Sequence, residues 1–540
     1  MNYILFITIF IICSLVILKY KNKRNLHMLQ QNLYNENNRY LKWVFNNFKL
    51  FFDIDIFLVF IALIGFLITY DINSFSIVFI IVMSIICILE GLILRNRIKN
   101  DQQKKPLVIT ARVKRLIFTI SVLHIVVIAF MYINIGNYRI VWLLLFIYSL
   151  MVYLNTFVIL IANIINKPVE ALIILKFKRQ AIAKLRSING LKVVGITGSY
   201  GKTSSKNILS DILNVKYNTF PTPKNLNTPK GIMTCINNNL DKFCEIFIAE
   251  MGAYKMGEIK ELCDFVHPKY GILTRIGNAH LMTFGSQENI QKGKFELIEN
   301  LPSDGIGVLN GDDPLQINYK LKNNVKIIWI GIDNEDVDCR ALNIKCSNKG
   351  TSFDVVFRGD DNKYHFETKL LGKHNVYNIL AGIALGREFG IEISDLQSSV
   401  RGVRAVEHRL ELKKIGNFYQ IDDAYNSNPV GAKSALEVLD MMDGLKVVVT
   451  PGMIELGEKE DELNKEFGKQ IADVADYVVL VGEKKTKTIY EGLIEKGFDK
   501  DKIMVLNDVR KAYSFVSSLV GDKDVYALFE NDLPDTYNEK

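Results

Sequence analysis

The chain has 540 residues, more than one domain of roughly 100–200 residues accommodates. Lys and Arg outnumber Asp and Glu by 66 to 58, but the excess clusters in Lys19–Arg24, Arg95–Lys105 and Lys176–Arg186, each near the end of an apolar run. That is the pattern of loops beside a bilayer, not of a nucleic-acid face, so no nucleic-acid partner is expected. The seven cysteines are scattered without a C-x-x-C pair, which argues against a zinc site or disulfide framework and for reduced thiols.

Five apolar runs are long enough to cross a hydrocarbon core of about 30 Å: roughly Tyr3–Leu18, Ile54–Tyr70, Phe75–Leu94, Leu116–Ile133 and Ile140–Ile165. The positive charges of the first run follow it, and it lacks a small-residue cleavage site, so it reads as a retained anchor. The loops Asp71–Ser74 and Asn134–Arg139 are short and nearly uncharged, whereas those near 20–50 and 95–115 are basic. The positive-inside rule then places the N-terminus outside and everything after the fifth span in the cytoplasm. A transmembrane domain, 1–170, with about five helices is expected, then a basic juxtamembrane linker, 171–188. The fifth run has length to tilt or to continue as an interfacial helix. Glu90 is the one clear ionisable exception inside a span; so near an interface, it reads as snorkelling or pairing with a loop lysine. Without an ionisable relay, a proton-driven transporter is disfavoured.

After the linker, Leu191–Gly198 is a short β-branched run ending in glycine, and "KTSSKNILSDIL" has helical spacing. Further strands read at Cys244–Gly252, Tyr270–Gly277, Gly305–Asp313 and Val325–Gly331, with helical patterns between several of them. The alternation predicts a mostly parallel sheet with helices on both faces. The stretch from about 338 to 370 alternates apolar and polar residues, as an antiparallel appendage would. From about 406 a second α/β unit starts, with buried strands in "FYQIDDAYN", "LKVVVTPG", "DYVVLVG" and "VYALFE".

The strand–loop–helix order surrounds "GITGSYGKTSSK". Backbone N–H groups of such a turn bind phosphate oxygens at a helix N-terminus, where the dipole adds attraction. Gly198, Gly201, Lys202, Thr203 and Ser204 are the candidate ATP-phosphate residues. Lys202 would neutralise the β/γ charge and Thr203 would ligate Mg2+. Ile196 stands where the general phosphate loop has its first glycine, so the form present is the variant T-G-x-x-G-K-T, Thr197–Thr203.

With that variant, a set of motifs resembles the Mur ligase family, the ATP-dependent amide ligases of peptidoglycan stem peptides, nearest its D-alanyl-D-alanine-adding branch. They are "NLNTPKG" (Asn225–Gly231), "AEMGAYKMGEI" (Ala249–Ile259), "RIGNAHLMTFGS" (Arg275–Ser286), "VLNGDDP" (Val308–Pro314), "GKHNVYNILAGIA" (Gly372–Ala384), "EHRLE" (Glu407–Glu411) and "DDAYNSNP" (Asp422–Pro429), in family order. The resemblance implies a fold of an N-terminal α-helical transmembrane domain followed by α/β: a central P-loop ATP-binding domain, 189–405, and a C-terminal Rossmann-like domain, 406–540. It implies metal ligation by Thr203, Glu250, His280 and a CO2-carbamylated Lys294, with Lys202, His280, Lys294 and Arg409 as catalytic residues. Asn375 and Asn378 would face the adenine, Asn310 and Asp312 the ribose side, and Arg409 and Asp423 would reach the nucleotide on domain closure. Asn227 and Thr228 would lie on the substrate side. His374 and His408 read as structural.

The family pattern is broken in three places. No room is left for the domain that grips the UDP part of the substrate. The basic "KGSR"-like segment near the C-terminus is replaced by the acidic "ALFENDLPDTYN", Ala527–Asn538, in which Glu530, Asp532 and Asp535 have no role legible from sequence. Pro451–Gly452 stands where the family usually has Gly-Asp. The expectation is a membrane-anchored ligase using ATP and Mg2+. It joins an amino-acid or dipeptide amine donor to a muramyl-peptide acceptor, either UDP-linked or lipid-linked, at the inner face of the bilayer. A ligase for another polymer such as polyglutamate, an ATP-driven transporter, and an inactive ATP-binding scaffold are the other readings. No "LSGGQ"-type signature supports the transporter.

Overall fold

The computed structural model describes residues 2–32, 34, 40–47, 53–68, 74–100, 106–224, 226–277, 281–347, 349–424, 427–454, 456 and 459–531. They form two compact units, Met1–Leu175 and Lys176–Lys540.

The first unit is helical: α1 (Asn2–Gln31), α2 (Leu41–Asn46), α3 (Ile56–Ile68), α4 (Ser74–Asn100), α5 (Ala111–Ile133), α6 (Tyr138–Tyr153) and the start of α7 (Asn155–Ser187). Among the described residues, α1, α4, α5 and α7 are long and apolar enough to cross a membrane by length and composition, while α3 and α6 are shorter. The apolar run Ile140–Ile165 is therefore two helices, not one span. The break falls at Leu154, whose N–H bonds back to Leu150 O at 2.8 Å and closes α6. Just beyond it, Asn155 is drawn into a polar contact with α1, where Asn25 Nδ2 donates to Asn155 Oδ1 at 2.9 Å. Glu90 also departs from expectation: it is buried, not turned to the surface. Lys21 pairs with Asp55, and Arg97 with Asp53.

The second unit begins with the C-terminal end of α7. Ala181, Leu185 and Ile188 of this basic linker join a core with Ile232, Ile236, Phe265 and Phe295. The linker is thus helical, with Ala181, Leu185 and Ile188 packed while Leu172, Ile174, Leu175 and Phe177 stay exposed. Its elements then run β1 (Lys192–Thr197), α8 (Lys202–Leu213), β2 (Thr219–Pro221), α9 (Pro229–Asn239), β3 (Ile246–Glu250), α10 (Glu258–Val266), β4 (Tyr270–Leu273), α11 (Leu281–Phe284), α12 (Gln287–Glu299), β5 (Ile306–Asn310), α13 (Pro314–Ile317) and β6 (Lys326–Gly331). They are followed by β7 (Cys339–Ser347), β8 (Gly350–Phe357), β9 (Tyr364–Thr368), α14 (Lys373–Glu388) and α15 (Ile393–Gly402).

These strands make one sheet in the order β2-β3-β1-β4-β5-β6-β7-β8-β9. Strands β1 to β6 are parallel, and β8 is antiparallel to both β7 and β9, which is the appendage read between 338 and 370. The apolar runs of β1 and β3 are buried because helices cover both faces. Ile208, Leu209 and Ile212 of α8 and Ile379, Leu380 and Ile383 of α14 cover one face. Ile236, Leu262, Phe295 and Leu297, from α9, α10 and α12, cover the other.

A second sheet follows, built from β10 (Glu411–Ile415), β11 (Phe418–Asp423), β12 (Leu445–Thr450), β13 (Tyr477–Val481), β14 (Ile503–Leu506) and β15 (Val525–Glu530) in the order β10-β11-β15-β12-β13-β14. Its helices are α16 (Pro429–Asp440), α17 (Glu460–Ala472), α18 (Lys487–Glu495) and α19 (Val509–Ser518). All neighbours are parallel except the β10–β11 hairpin. Parallel sheets of this kind present ligand crevices at the carboxyl ends of their strands, and Glu250, Asn310 and Asp423 are the last residues of β3, β5 and β11.

Candidate active site

Strand β1 sits between β3 and β4, so the turn after it opens between two neighbouring strand ends. Gly198 has φ +151°, and a Cβ there would fall 1.9 Å from Thr274 Oγ1. Gly201 has φ +79° and caps α8 from the left-handed region, a conformation glycine adopts without steric cost. Both glycines are thus dictated by geometry. Thr274 pins the turn by donating to Thr197 O at 3.1 Å and Tyr200 O at 2.6 Å. Asn378 lies beside the turn, its Oδ1 3.5 Å from where a Gly201 Cβ would stand.

Lys202 Nζ donates to Gly198 O at 2.7 Å and Ser199 O at 3.2 Å, which folds its ammonium over the mouth of the loop. Burial lowers Lys202 to about 8, against the nearby Glu250 carboxylate, and Arg409 adds to the lowering. Thr203 Oγ1 donates to Glu250 Oε1 at 3.2 Å, and Asn227 Nδ2 donates to the same oxygen at 3.1 Å. Ser204 is half-buried in the same first turn of α8, and Thr228 caps α9 by accepting from Gly231 N at 3.3 Å. The turn at α8, the end of β3 and the start of α9 therefore meet at Glu250.

Lys294 is 1% exposed on α12, its Nζ 3.4 Å from Ala253 O and over the Phe284 ring at 5.4 Å. Burial pushes it down to about 7, and Lys202 adds to this while Glu258 and Glu296 oppose it. It differs sharply from Lys292, which is exposed and paired with Glu288. His280 lies outside the described residues, as does Asn225.

Of the residues expected on the nucleotide side, Asn375 is buried with its Nδ2 on Leu371 O at 2.8 Å. Asn310 holds the backbone of Asp312 through Oδ1 at 2.9 Å. Asp312 accepts from Ile332 N, Asp333 N and Asn334 N at 2.6, 3.1 and 2.6 Å and from Tyr377 OH at 2.7 Å. Four donors fill the acceptor positions of a carboxylate. Burial alone would raise this group, but those hydrogen bonds hold it below the usual carboxylate range. Asp312 thus clamps the turn after β6, with its oxygens committed to the protein.

Arg409 sits between two residues in the left-handed region, His408 at φ +60° and Leu410 at φ +47°. Such backbone costs of order 1–3 kcal/mol per residue and collects at functional sites. The end of β11 holds it in place: Leu410 N donates to Asp423 Oδ1 at 3.2 Å, and His408 Nδ1 lies 2.9 Å from Asp422 Oδ2. His408 is structural in this sense, as read from sequence. Glu530 is buried beside Asp423 and accepts from Ser427 Oγ at 2.6 Å; Asp532 and Asp535 lie outside the described residues.

Sequence reading passed over Lys206 and Thr274 and left Glu530 without a role. Lys206 carried a faint signal, standing one helical turn after Lys202 in "GKTSSK" and so on a neighbouring face of α8. The other two are identified only by what they touch.

A phosphate turn backed by a threonine and a carboxylate, a buried lysine of lowered basicity and a second Rossmann-like sheet presenting an arginine define an ATP-dependent ligase. Comparison with known proteins agrees. The Mur ligase middle domain matches residues 196–386, and the Mur ligase glutamate ligase domain matches residues 408–529. The UDP-N-acetylmuramoyl-tripeptide–D-alanyl-D-alanine ligase of Bacillus subtilis is 34% identical over 58% of this chain and 67% of its own length. The Escherichia coli enzyme of that name is 31% identical over 54% and 65%. Among solved structures, MurF of Thermotoga maritima in complex with ADP aligns with a TM-score of 0.57 at 28% identity, covering 66% of this chain and 80% of that one. A MurF structure from Acinetobacter baumannii gives a TM-score of 0.60 at 25% identity, covering 66% and 78%. The chain belongs to the Mur ligase family. It spans about two thirds of the length of these two curated relatives.

Proposed function

We propose that this protein is a MurF-like, ATP-dependent ligase that forms an amide bond in a peptidoglycan precursor through an acyl phosphate. The observation that carries this is the position of Glu250. One of its oxygens accepts from both Thr203 of the phosphate turn and Asn227 of the acceptor-side loop, so the ATP end and the acceptor end of the reaction share one carboxylate.

The residues fit ATP and magnesium. Gly198 and Gly201 leave the turn without side chains, Lys202 hangs over it, and Thr203 and Glu250 offer hard oxygen ligands of the kind Mg2+ takes. His280 and a carbamylated Lys294 complete the proposed metal set. Bound magnesium would neutralise charge on the phosphates. Phosphoryl transfer asks a protein for positioning and charge stabilisation more than for covalent chemistry. The acceptor carboxylate attacks the γ-phosphorus, the bond to ADP breaks, and Lys202 meets the developing charge. The donor amine then attacks the acyl carbon and phosphate leaves. Asn375 and Asn378 bind on the base side, Asn310 and Asp312 shape the ribose side, and Arg409, oriented by Asp423, reaches the nucleotide when the C-terminal domain closes and excludes water.

The donor is a dipeptide of the D-alanyl-D-alanine kind and the acceptor a muramyl tripeptide, by the names of the relatives. We propose further that the long apolar helices of the first unit hold the catalytic domains at the cytoplasmic face of the cell membrane. They precede the ligase domains in the sequence, where the family pattern leads one to expect a UDP-gripping domain, and this favours a lipid-linked acceptor. The test is product mass after incubating the full chain in nanodiscs with ATP, Mg2+, D-alanyl-D-alanine and either UDP-linked or undecaprenyl-linked muramyl tripeptide. Amide product on the lipid-linked acceptor supports the whole reading. Turnover on the UDP-linked form alone retains the ligase and removes the lipid, and no amide product on either removes both.

A further inference from the structure

Lys206 is 1% exposed, among the most deeply buried cations of the second unit. Its ammonium donates to Lys224 O at 2.6 Å and to Glu250 Oε2 at 3.0 Å. Lys224 has φ +49°, a left-handed conformation uncommon outside glycine, and its carbonyl is the one that meets the buried ammonium. The same loop is fastened elsewhere to the end of β3. Glu250 N donates to Thr222 Oγ1 at 3.1 Å, and Gly252 N donates to Asn227 O at 2.8 Å. Gly252 has to lack a side chain here, since its Cβ would stand 2.8 Å from Asn227 Cγ.

The two oxygens of Glu250 are therefore divided. Oε2 belongs to Lys206, and Oε1 to Thr203 and Asn227. A buried ion pair is a poor source of net stability, because desolvating both charges offsets most of their attraction and apolar replacements are often neutral or stabilising. Its use here is geometric. We infer that Lys206 is a positioning residue of the ligase reaction: one ammonium fixes the Glu250 carboxylate with Oε1 toward Thr203 and holds the Lys224 turn that brings Asn227 to the same oxygen. The loop on the acceptor side and the carboxylate beside the phosphate turn are set as one piece. This rests on the ligase reading above, but its structural half can be measured without turnover.

The experiment compares the native full chain with K206M, K206Q and K206R in nanodiscs, by hydrogen exchange without nucleotide and by steady-state kinetics. The Glu250 and Gly252 amides report docking of the loop. In K206M and K206Q they should exchange at least tenfold faster while amides of β5 stay unchanged. Acceptor KM should rise tenfold or more, with ATP KM moving less than threefold, and K206R should recover at least half of both effects. Should K206M fail to fold, K206Q, which keeps a donor for Lys224 O, is read by the same criteria. Exchange and acceptor KM within twofold of native in the folded variants would overturn the inference. So would faster exchange throughout the second unit without a KM change, the mark of a merely structural residue. If the native chain makes no amide product yet the Glu250 and Gly252 amides respond, the ligase reading fails and the positioning of Glu250 and the Lys224 turn by Lys206 stands.

Discussion

Asp423 and Glu530 are register partners on the adjacent parallel strands β11 and β15, so two carboxyl groups face each other at the carboxyl end of the second sheet. Burial pushes Asp423 up to about 6, and burial together with the charge of Asp423 raises Glu530 well above the usual carboxylate range. Like charges this close cannot both ionise without cost. The acidic segment that departs from the family pattern thus supplies an internal partner to the residue that holds the Arg409 loop.

The sign of the resulting pH dependence follows. A carboxyl with a raised folded pKa contributes stability that is fully present below its unfolded value, about 4, and lost as pH rises through the folded value. The native chain should therefore lose stability between about pH 4 and 6 as Asp423 ionises. Glu530, raised further, extends that loss to higher pH. Glu530→Gln should remove this second part and leave the Asp423 part in place, since burial is what raises Asp423, while keeping an acceptor for Ser427. Melting temperatures of the two chains between pH 4 and 8 check this, and parallel profiles would remove the pairing.

Lys294 is expected to be largely neutral above pH 7, since burial lowers it to about that value, and only the neutral amine reacts with CO2. Product formation in bicarbonate-depleted buffer should fall as pH drops through 7, and added bicarbonate should restore it. Lys294→Arg should abolish both activity and bicarbonate response. An initial-rate series against bicarbonate at pH 6.5 and 8 measures this.

Lys202→Ala removes the cation over the phosphate turn. Loss of one preorganised electrostatic contact typically costs about 100- to 1,000-fold in turnover, and we expect kcat for amide formation to fall by that order. The melting temperature should change little, because the ammonium is satisfied by its own loop carbonyls.

Gly198→Ala should be worse for folding than for any single contact. Its Cβ would overlap the Thr274 hydroxyl at 1.9 Å, so the β1–α8 turn must shift. The cost is about 1–3 kcal/mol of stability, with ATP binding weakened at least tenfold. Thr274→Ala in the same chain should recover part of both, as read by thermal unfolding and by nucleotide titration.

Much of this site was legible because its signals are local. Glycine spacing gave the phosphate turn, β-branched runs gave the parallel strands, and alternation gave β7 to β9. What escaped was tertiary. Nothing in sequence tells that Lys206 turns inward to Glu250 while Lys292 faces solvent, or that Asp312 spends its oxygens on the turn after β6. The apolar count hid the break at Leu154, since Asn155 and Thr156 interrupt hydropathy too briefly to register. Helix α1 continues to Gln31, past its apolar run, because helix formation does not stop where hydropathy does. Strand β10, short and charged, is set by its hairpin with β11 and not by a pattern of its own.

The most direct test labels the acceptor carboxylate with 18O and follows the label during a reaction with ATP, Mg2+ and the dipeptide donor. An acyl phosphate requires one labelled oxygen to leave with inorganic phosphate for each amide formed. Equimolar label in phosphate and amide product is the result the ligase account predicts. Phosphate released without label, or ATP hydrolysed without amide product, would contradict it.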